Sequence, residues 1–150
     1  MSDQQLTAAA IIRFCENLQD DSARFYEQLA QRFPEHRRTF QGYAQRCERN
    51  KVQIVRTYQE TVTDALETGF SFEGLDLPSY QVNLILAEGA GLREALEQAI
   101  ALEDKAIAFY QDVAQRAQSL LATIPRAFER VAERRGQRRE ELEALRRSGA

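Results

Sequence analysis

The sequence predicts an all-α fold in which two antiparallel helical hairpins, joined by a long crossover, form a four-helix bundle. In four separate stretches, apolar residues recur at alternating steps of three and four, which is the spacing of one buried helix face. The chain also repeats itself. Residues 25–32 return as residues 109–116, and residues 40–46 share their pattern with residues 128–134. We therefore interpret the two hairpins as an internal duplication.

The first hairpin is predicted over residues 3–66. Its first helix runs from about residue 3 to residue 32. Pro34 marks the boundary between the two helices, because proline ends one helix readily and suits the first turn of the next. A turn this short makes the two helices antiparallel neighbours. Four tyrosines lie on the apolar stripes of the bundle and are expected in its core: Tyr26, Tyr43, Tyr58 and Tyr110.

The crossover is predicted over residues 67–91 and the second hairpin over residues 92–147. Four glycines and a proline make the crossover too irregular for one long helix. The apolar residues at 79–88 predict a short helix within it. This element either covers the bundle of its own chain or forms a dimer surface, and we favour the cover because short apolar segments usually belong to the core.

Composition indicates one soluble domain over residues 1–150, long enough to bury roughly 70% of its surface on folding. The net charge of −3 and the pI near 5.3 disfavour a general nucleic-acid binder, which carries a strongly basic face. No apolar run approaches the ~20 residues of a spanning helix, and the N-terminus lacks the basic start of a secretory signal. We expect no membrane association and a cytoplasmic location.

Charge is distributed unevenly along the chain. Residues 67–104 contain eight acidic residues and one basic residue, whereas residues 126–147 contain eight arginines and five glutamates. Surfaces of opposite charge on two copies attract each other and steer their association. The sequence therefore predicts a homodimer.

Residues 91–110 resemble the third helix of rubrerythrin-like members of the ferritin-like superfamily, through Glu103, Ala106, Phe109 and Tyr110. The resemblance covers most of residues 10–147. It implies the ferritin-like topology, in which a long crossover lets the second hairpin pack beside the first. It also implies a di-iron centre to which the first and third helices each give one Glu, while the second and fourth each give Glu-x-x-His.

The ligand positions implied by this resemblance are mostly occupied by other residue types. Glu103 matches the family, but the corresponding position in the first helix is Gln19. The only histidine, His36, lies in the first hairpin turn. The two positions of each Glu-x-x-His pattern hold Cys47 with Asn50 and Arg135 with Arg138. The resemblance therefore predicts a degenerate di-iron site without a metal ion.

An arginine can satisfy a buried carboxylate through paired hydrogen bonds, much as a metal ion does. With a hairpin turn near residue 121, Glu103 faces a position close to Arg138. We therefore predict a polar cluster of Glu103 with Arg138, joined by Arg135. Gly136 supports this, since a glycine within a helix often allows a neighbour to approach closely. The alternative is that these arginines extend to solvent from a polar helix face.

The two cysteines, Cys15 and Cys47, are expected to be separate buried thiols. Antiparallel packing of the first hairpin leaves an axial gap of ~10 Å between them, too wide for a disulfide. A redox-active thiol at Cys47, beside Arg135, is a less favoured interpretation, because a guanidinium group lowers the pKa of a thiol.

We therefore expect a non-catalytic scaffold or interaction protein without a cofactor. The alternative is a rubrerythrin-like oxidoreductase with a partial iron or manganese site. Its candidate ligands are Glu103, Glu48, Asp20 and Asp104. A third interpretation is a small molecule bound in the vacated centre.

Overall fold

The computed structural model describes residues 7–61, 75–116 and 123–148 of the chain. Within these ranges the chain forms four α-helices of 25 residues each, as the sequence predicts. They are α1 (Ala8–Arg32), α2 (Arg37–Thr61), α3 (Leu92–Arg116) and α4 (Thr123–Arg147). Short 3-10 turns occupy Pro34–His36 and Leu77–Tyr80. The predicted boundaries at residues 3, 66 and 67 lie outside the described residues.

The ends of α1 follow from local chemistry. Thr7 caps the helix, since its hydroxyl oxygen accepts a hydrogen bond from the Ala10 amide at 3.2 Å. At the other end the Phe33 amide donates to the Leu29 carbonyl at 2.9 Å, and Pro34 follows. The 3-10 turn that Pro34 opens leads directly into α2, so α1 and α2 pack against each other as the first hairpin.

The directions of the helices can be read from contacts between them. Gln19 on α1 bonds Tyr110 on α3, and Tyr26 on α1 bonds Glu103 on α3, so α1 and α3 are antiparallel. Because α1 is also antiparallel to α2, α2 and α3 run in the same direction. A helix of 25 residues is about 37 Å long. The end of α2 and the start of α3, which one connection joins, therefore lie at opposite ends of the bundle.

The final part of this connection is a strap, residues 77–87, that lies along α1 and α3. Near its start the Tyr80 ring packs edge-on against Phe109 at 5.4 Å. Farther along, the amide of Gln98 donates to the carbonyls of Asn83 and Ile85 at 3.1 and 3.0 Å. The guanidinium of Arg32 then donates to the Ala87 carbonyl at 3.1 Å. Side chains of both helices thus bind the backbone of the strap.

The prediction of a short helix over residues 79–88 is wrong. Beyond the 3-10 turn the strap is non-helical, and its side chains alternate between bundle and solvent. Val82, Leu84 and Leu86 pack against the core, whereas Ile85 is 79% exposed. An alternation with a period of two is the pattern of an extended chain. The strap nevertheless covers its own bundle, as the favoured interpretation required.

The core between the helices is rich in aromatic rings. Tyr26, Tyr43 and Tyr110 are fully buried as predicted, while Tyr58 is only partly buried at the edge of the core. The Tyr26 ring contacts the Tyr43 ring edge-on at 5.3 Å, which ties α1 to α2. None of the described helices is long and apolar enough to cross a membrane.

Candidate functional site

The middle of the bundle holds a buried carboxylate, Glu103 of α3, between two buried arginines of α4. Arg135 Nη1 donates to Glu103 Oε1 at 3.0 Å, and Arg138 Nη1 donates to Glu103 Oε2 at 3.3 Å. The hydroxyl of Tyr26 on α1 also donates to Oε2. Both arginines are essentially inaccessible to solvent, so they do not extend outwards from α4. We call Glu103, Arg135 and Arg138 the central cluster.

The second nitrogen of Arg135 joins the central cluster to α1. Arg135 Nη2 donates to Gln19 Oε1 at 2.9 Å and to Ser22 Oγ at 3.0 Å. The Gln19 amide in turn donates to the Tyr110 hydroxyl at 2.7 Å. Gln19, Ser22 and Tyr26 lie three and four residues apart, so one face of α1 presents all three to the centre.

Arg138 is enclosed mainly by aromatic rings and a thiol. Its guanidinium carbon lies 5.7 Å from the centroid of the Tyr26 ring and 5.4 Å from that of Tyr43. Its Nη1 is 3.4 Å from the sulfur of Cys47 on α2. The central cluster therefore contacts all four helices.

The central cluster carries more positive than negative charge. One carboxylate and two guanidinium groups sum to +1, and all three side chains are buried. Three guanidinium nitrogens also lack a hydrogen-bond partner in the described residues: Arg135 Nε, Arg138 Nε and Arg138 Nη2. A buried donor without an acceptor costs stability. The centre thus favours negative charge and hydrogen-bond acceptors over metal cations.

The pKa values of the surrounding groups agree with this electrostatic picture. Burial is the largest single effect on the pKa of Arg135 and Arg138 and lowers it, but Glu103, Cys47 and the neighbouring tyrosines together outweigh burial, so both pKa values are raised. Burial raises the pKa of the Cys47 thiol, although both arginines act to lower it. Cys47 is therefore held as a neutral thiol, which gives no support to the redox interpretation.

The carboxylates of the alternative metal site are not assembled around one point. Asp20 binds Lys51 at 2.8 Å, and Asp104 binds Arg139 at 2.7 Å, both away from the central cluster. Glu48 is exposed on α2. Across the part of the chain that the structure describes, no three His, Cys, Asp or Glu residues could hold a metal ion together.

Other predicted features fall outside the centre or need correction. His36 packs edge-on against Phe40 at the end of the first hairpin, with 6.2 Å between ring centroids. Cys15 and Cys47 are both buried and free. No neighbouring element approaches Gly136 closely, since a Cβ atom added there would meet nothing within 4 Å. That part of the argument for a buried cluster was wrong, although the cluster itself is present.

Sequence reasoning missed Ser22 and the roles of two tyrosines in the centre. Tyr26 bonds Glu103, and Tyr110 bonds Gln19. Tyr26 lies seven residues after Gln19 on α1, and it bonds Glu103 on α3. Tyr110 lies seven residues after Glu103 on α3, and it bonds Gln19 on α1. This shared spacing was the available signal, because seven residues return a side chain to nearly the same helix face.

No family model, no curated protein and no solved structure matches this chain.

Proposed function

We propose that this chain is a non-catalytic scaffold or interaction protein with a ferritin-like fold, in which a polar Glu/Arg cluster replaces a di-iron centre. The helix directions support the topology. In a simple up-and-down bundle the second and third helices run in opposite directions, whereas here α2 and α3 run in the same direction. Ferritin-like bundles have such an arrangement, with one long crossover.

The contacts between α1 and α3 support an origin by duplication. Gln19 and Glu103 lie 84 residues apart, as do Tyr26 and Tyr110. The Gln19–Tyr110 and Tyr26–Glu103 hydrogen bonds are therefore related by exchange of the two hairpins. Two copies of one ancestral hairpin, paired about a two-fold axis, account for this reciprocity.

The observation that carries the proposal is the pair of guanidinium groups on Glu103. Arg135 and Arg138 stand at the positions that the rubrerythrin-like pattern gives to Glu and His, and both reach the one carboxylate that the pattern retains. A metal cation in this space would meet two fixed positive charges instead of two ligands, and electrostatic repulsion would oppose its binding. The cluster occupies the centre and holds the four helices in register.

Self-association is the interaction that we propose for this scaffold. In the described part of the acidic segment, Asp76, Glu88 and Glu94 are exposed, and α4 carries a net positive charge. Attraction between these surfaces of two copies favours a dimer.

Elemental analysis of protein purified without a chelator tests the proposal. We expect well under one iron, manganese or zinc per chain, and no ferroxidase or peroxidase turnover after addition of ferrous iron. About two irons per chain, the content of a di-iron carboxylate site, would instead favour the rubrerythrin-like oxidoreductase.

A further inference from the structure

A groove of about 430 Å³ lies between α2 and α4, on the outside of the bundle. Its α2 wall is formed by residues at intervals of three and four, which lie on one helix face, and α4 contributes a similar set. The lining consists of Arg46, Arg49, Asn50, Gln53, Arg134, Gln137 and Glu141. Nearly all of these side chains donate hydrogen bonds, and none is apolar.

The charge of this groove is not neutralised by its own residues. Arg134 donates to two neutral amide oxygens, Asn50 Oδ1 at 3.0 Å and Gln53 Oε1 at 2.7 Å. Arg46 stacks over the Tyr43 ring at 5.9 Å. In the described residues none of the groove arginines forms an ion pair, whereas Arg139 and Arg146 on the same α4 each bind carboxylates.

Among the described residues that line the groove, one side chain, Glu141, is negatively charged. Glu141 accepts a hydrogen bond from the Tyr43 hydroxyl at 2.8 Å. Three positive charges and one negative charge leave the lining at +2. A ligand that neutralises this lining carries two negative charges.

The groove also contains a buried donor that lacks an acceptor. Asn50 is only 3% exposed, and its Nδ2 has no hydrogen-bond partner in the described part of the protein. The oxygen of the same amide is held by Arg134, which fixes the group in the wall of the groove. An unpaired buried amide is costly, so the wall of the groove keeps an unused donor beside its arginines.

We propose that this groove binds a small molecule through a phosphate group. Guanidinium groups recognise phosphate oxygens by paired hydrogen bonds, and a phosphate with two negative charges matches the lining charge of +2 better than a single carboxylate does. The volume lies within the range of roughly 300–1,000 Å³ found for small-molecule sites. The site is separate from the central cluster and does not depend on the scaffold function.

Inorganic pyrophosphate is the probe for this site, with binding to the full chain measured by isothermal titration calorimetry. We expect one saturable site per chain at low ionic strength. Arg46→Gln and Arg49→Gln should each weaken the affinity by about tenfold or more, as expected for loss of a charged hydrogen bond. Glu141→Gln should tighten binding, because it removes a negative charge from the lining of the groove.

Arg13→Gln on α1 and Arg93→Gln on α3 are matched controls, since they remove the same charge from exposed positions outside the groove. Both should bind pyrophosphate like the unaltered protein. The proposal is overturned if no saturable binding occurs at millimolar pyrophosphate, or if the control variants lose as much affinity as the groove variants.

An acidic segment of a second copy is the competing occupant of the groove. Sedimentation of the same variants separates the two cases. The phosphate site predicts that Arg49→Gln leaves the oligomeric state unchanged. If instead Arg49→Gln and pyrophosphate both dissociate an oligomer, the groove is a protein interface and the small-molecule assignment fails.

Discussion

Glu103→Gln should lower the stability of this protein more than any other single substitution in the central cluster. The three charged side chains now sum to +1, and the substitution raises this sum to +2 with every group still buried. Removal of one partner from a buried ion pair costs ~3–5 kcal/mol, because the remaining charge is left uncompensated. We expect a decrease of this size in the free energy of unfolding.

Arg138→Met should behave differently, because it leaves a neutral pair. Glu103 keeps Arg135, which is the closer partner at 3.0 Å, and the two unpaired donors of Arg138 are removed. The expected loss is about 1–2 kcal/mol, the size of a typical hydrogen-bond deletion. In the Glu103→Gln background the same change lowers the buried charge from +2 to +1. Arg138→Met should therefore restore stability there, giving a coupling on the order of 1–3 kcal/mol.

Urea unfolding at neutral pH gives the free energy of unfolding of the unaltered protein, the two single variants and the double variant. Urea is suitable because it does not screen charges. Asp104→Asn is the matched control. The Asp104 side chain is 52% exposed, and it pairs with Arg139 of α4 outside the central cluster. That exposed pair should contribute only ~0–1 kcal/mol. If Glu103→Gln costs no more than Asp104→Asn and shows no coupling to Arg138→Met, the central cluster does not hold the bundle together.

Three further predictions concern the helices, the tyrosines and the assembly. Gly136→Ala and Gly42→Ala should each stabilise the protein by about 0.5–1 kcal/mol, because an added Cβ meets nothing within 4 Å at either site; a loss of stability in urea would contradict this. Burial raises the pKa of Tyr26 and Tyr110 well above the usual value, so both are neutral in the fold. Their stabilising effect is complete below the unfolded pKa of about 10 and decreases as pH rises above it, so ultraviolet titration should detect their ionisation only together with unfolding. Light scattering at low ionic strength should show a dimer that dissociates as salt increases, and a monomer at micromolar concentration would rule out this assembly.

The helices could be predicted from the sequence because their apolar periodicity persists over many turns. The period of the apolar pattern also explains why the prediction for the strap was wrong. Residues 79–88 were interpreted as a helix from their apolar content, although Gln81, Val82, Asn83 and Leu84 alternate strictly between polar and apolar. That alternation indicates an extended segment with one buried side, which is how residues 81–87 pack.

The pairing of Glu103 with the arginines was predictable because hairpin geometry sets which residues face each other. The bonds from Tyr26 to Glu103 and from Gln19 to Tyr110 join different hairpins. The distance between the hairpins is a tertiary property that the apolar pattern of a single helix does not encode. The uncompensated charge of the groove likewise depends on which arginines lack a nearby carboxylate. In a sequence with many arginines and glutamates, this is visible only after the helices are packed.

Iron binding by a variant with the rubrerythrin-like ligands restored tests the central claim most directly. Equilibrium titration with ferrous iron under anaerobic conditions compares it with the unaltered protein, and circular dichroism verifies that both are helical. The variant carries the substitutions Gln19→Glu, Cys47→Glu, Asn50→His, Arg135→Glu and Arg138→His. We predict about two irons per chain for the variant and well under one for the unaltered protein. About two irons bound by the unaltered protein, with Arg135 and Arg138 in place, would contradict the replacement of the metal centre by the central cluster.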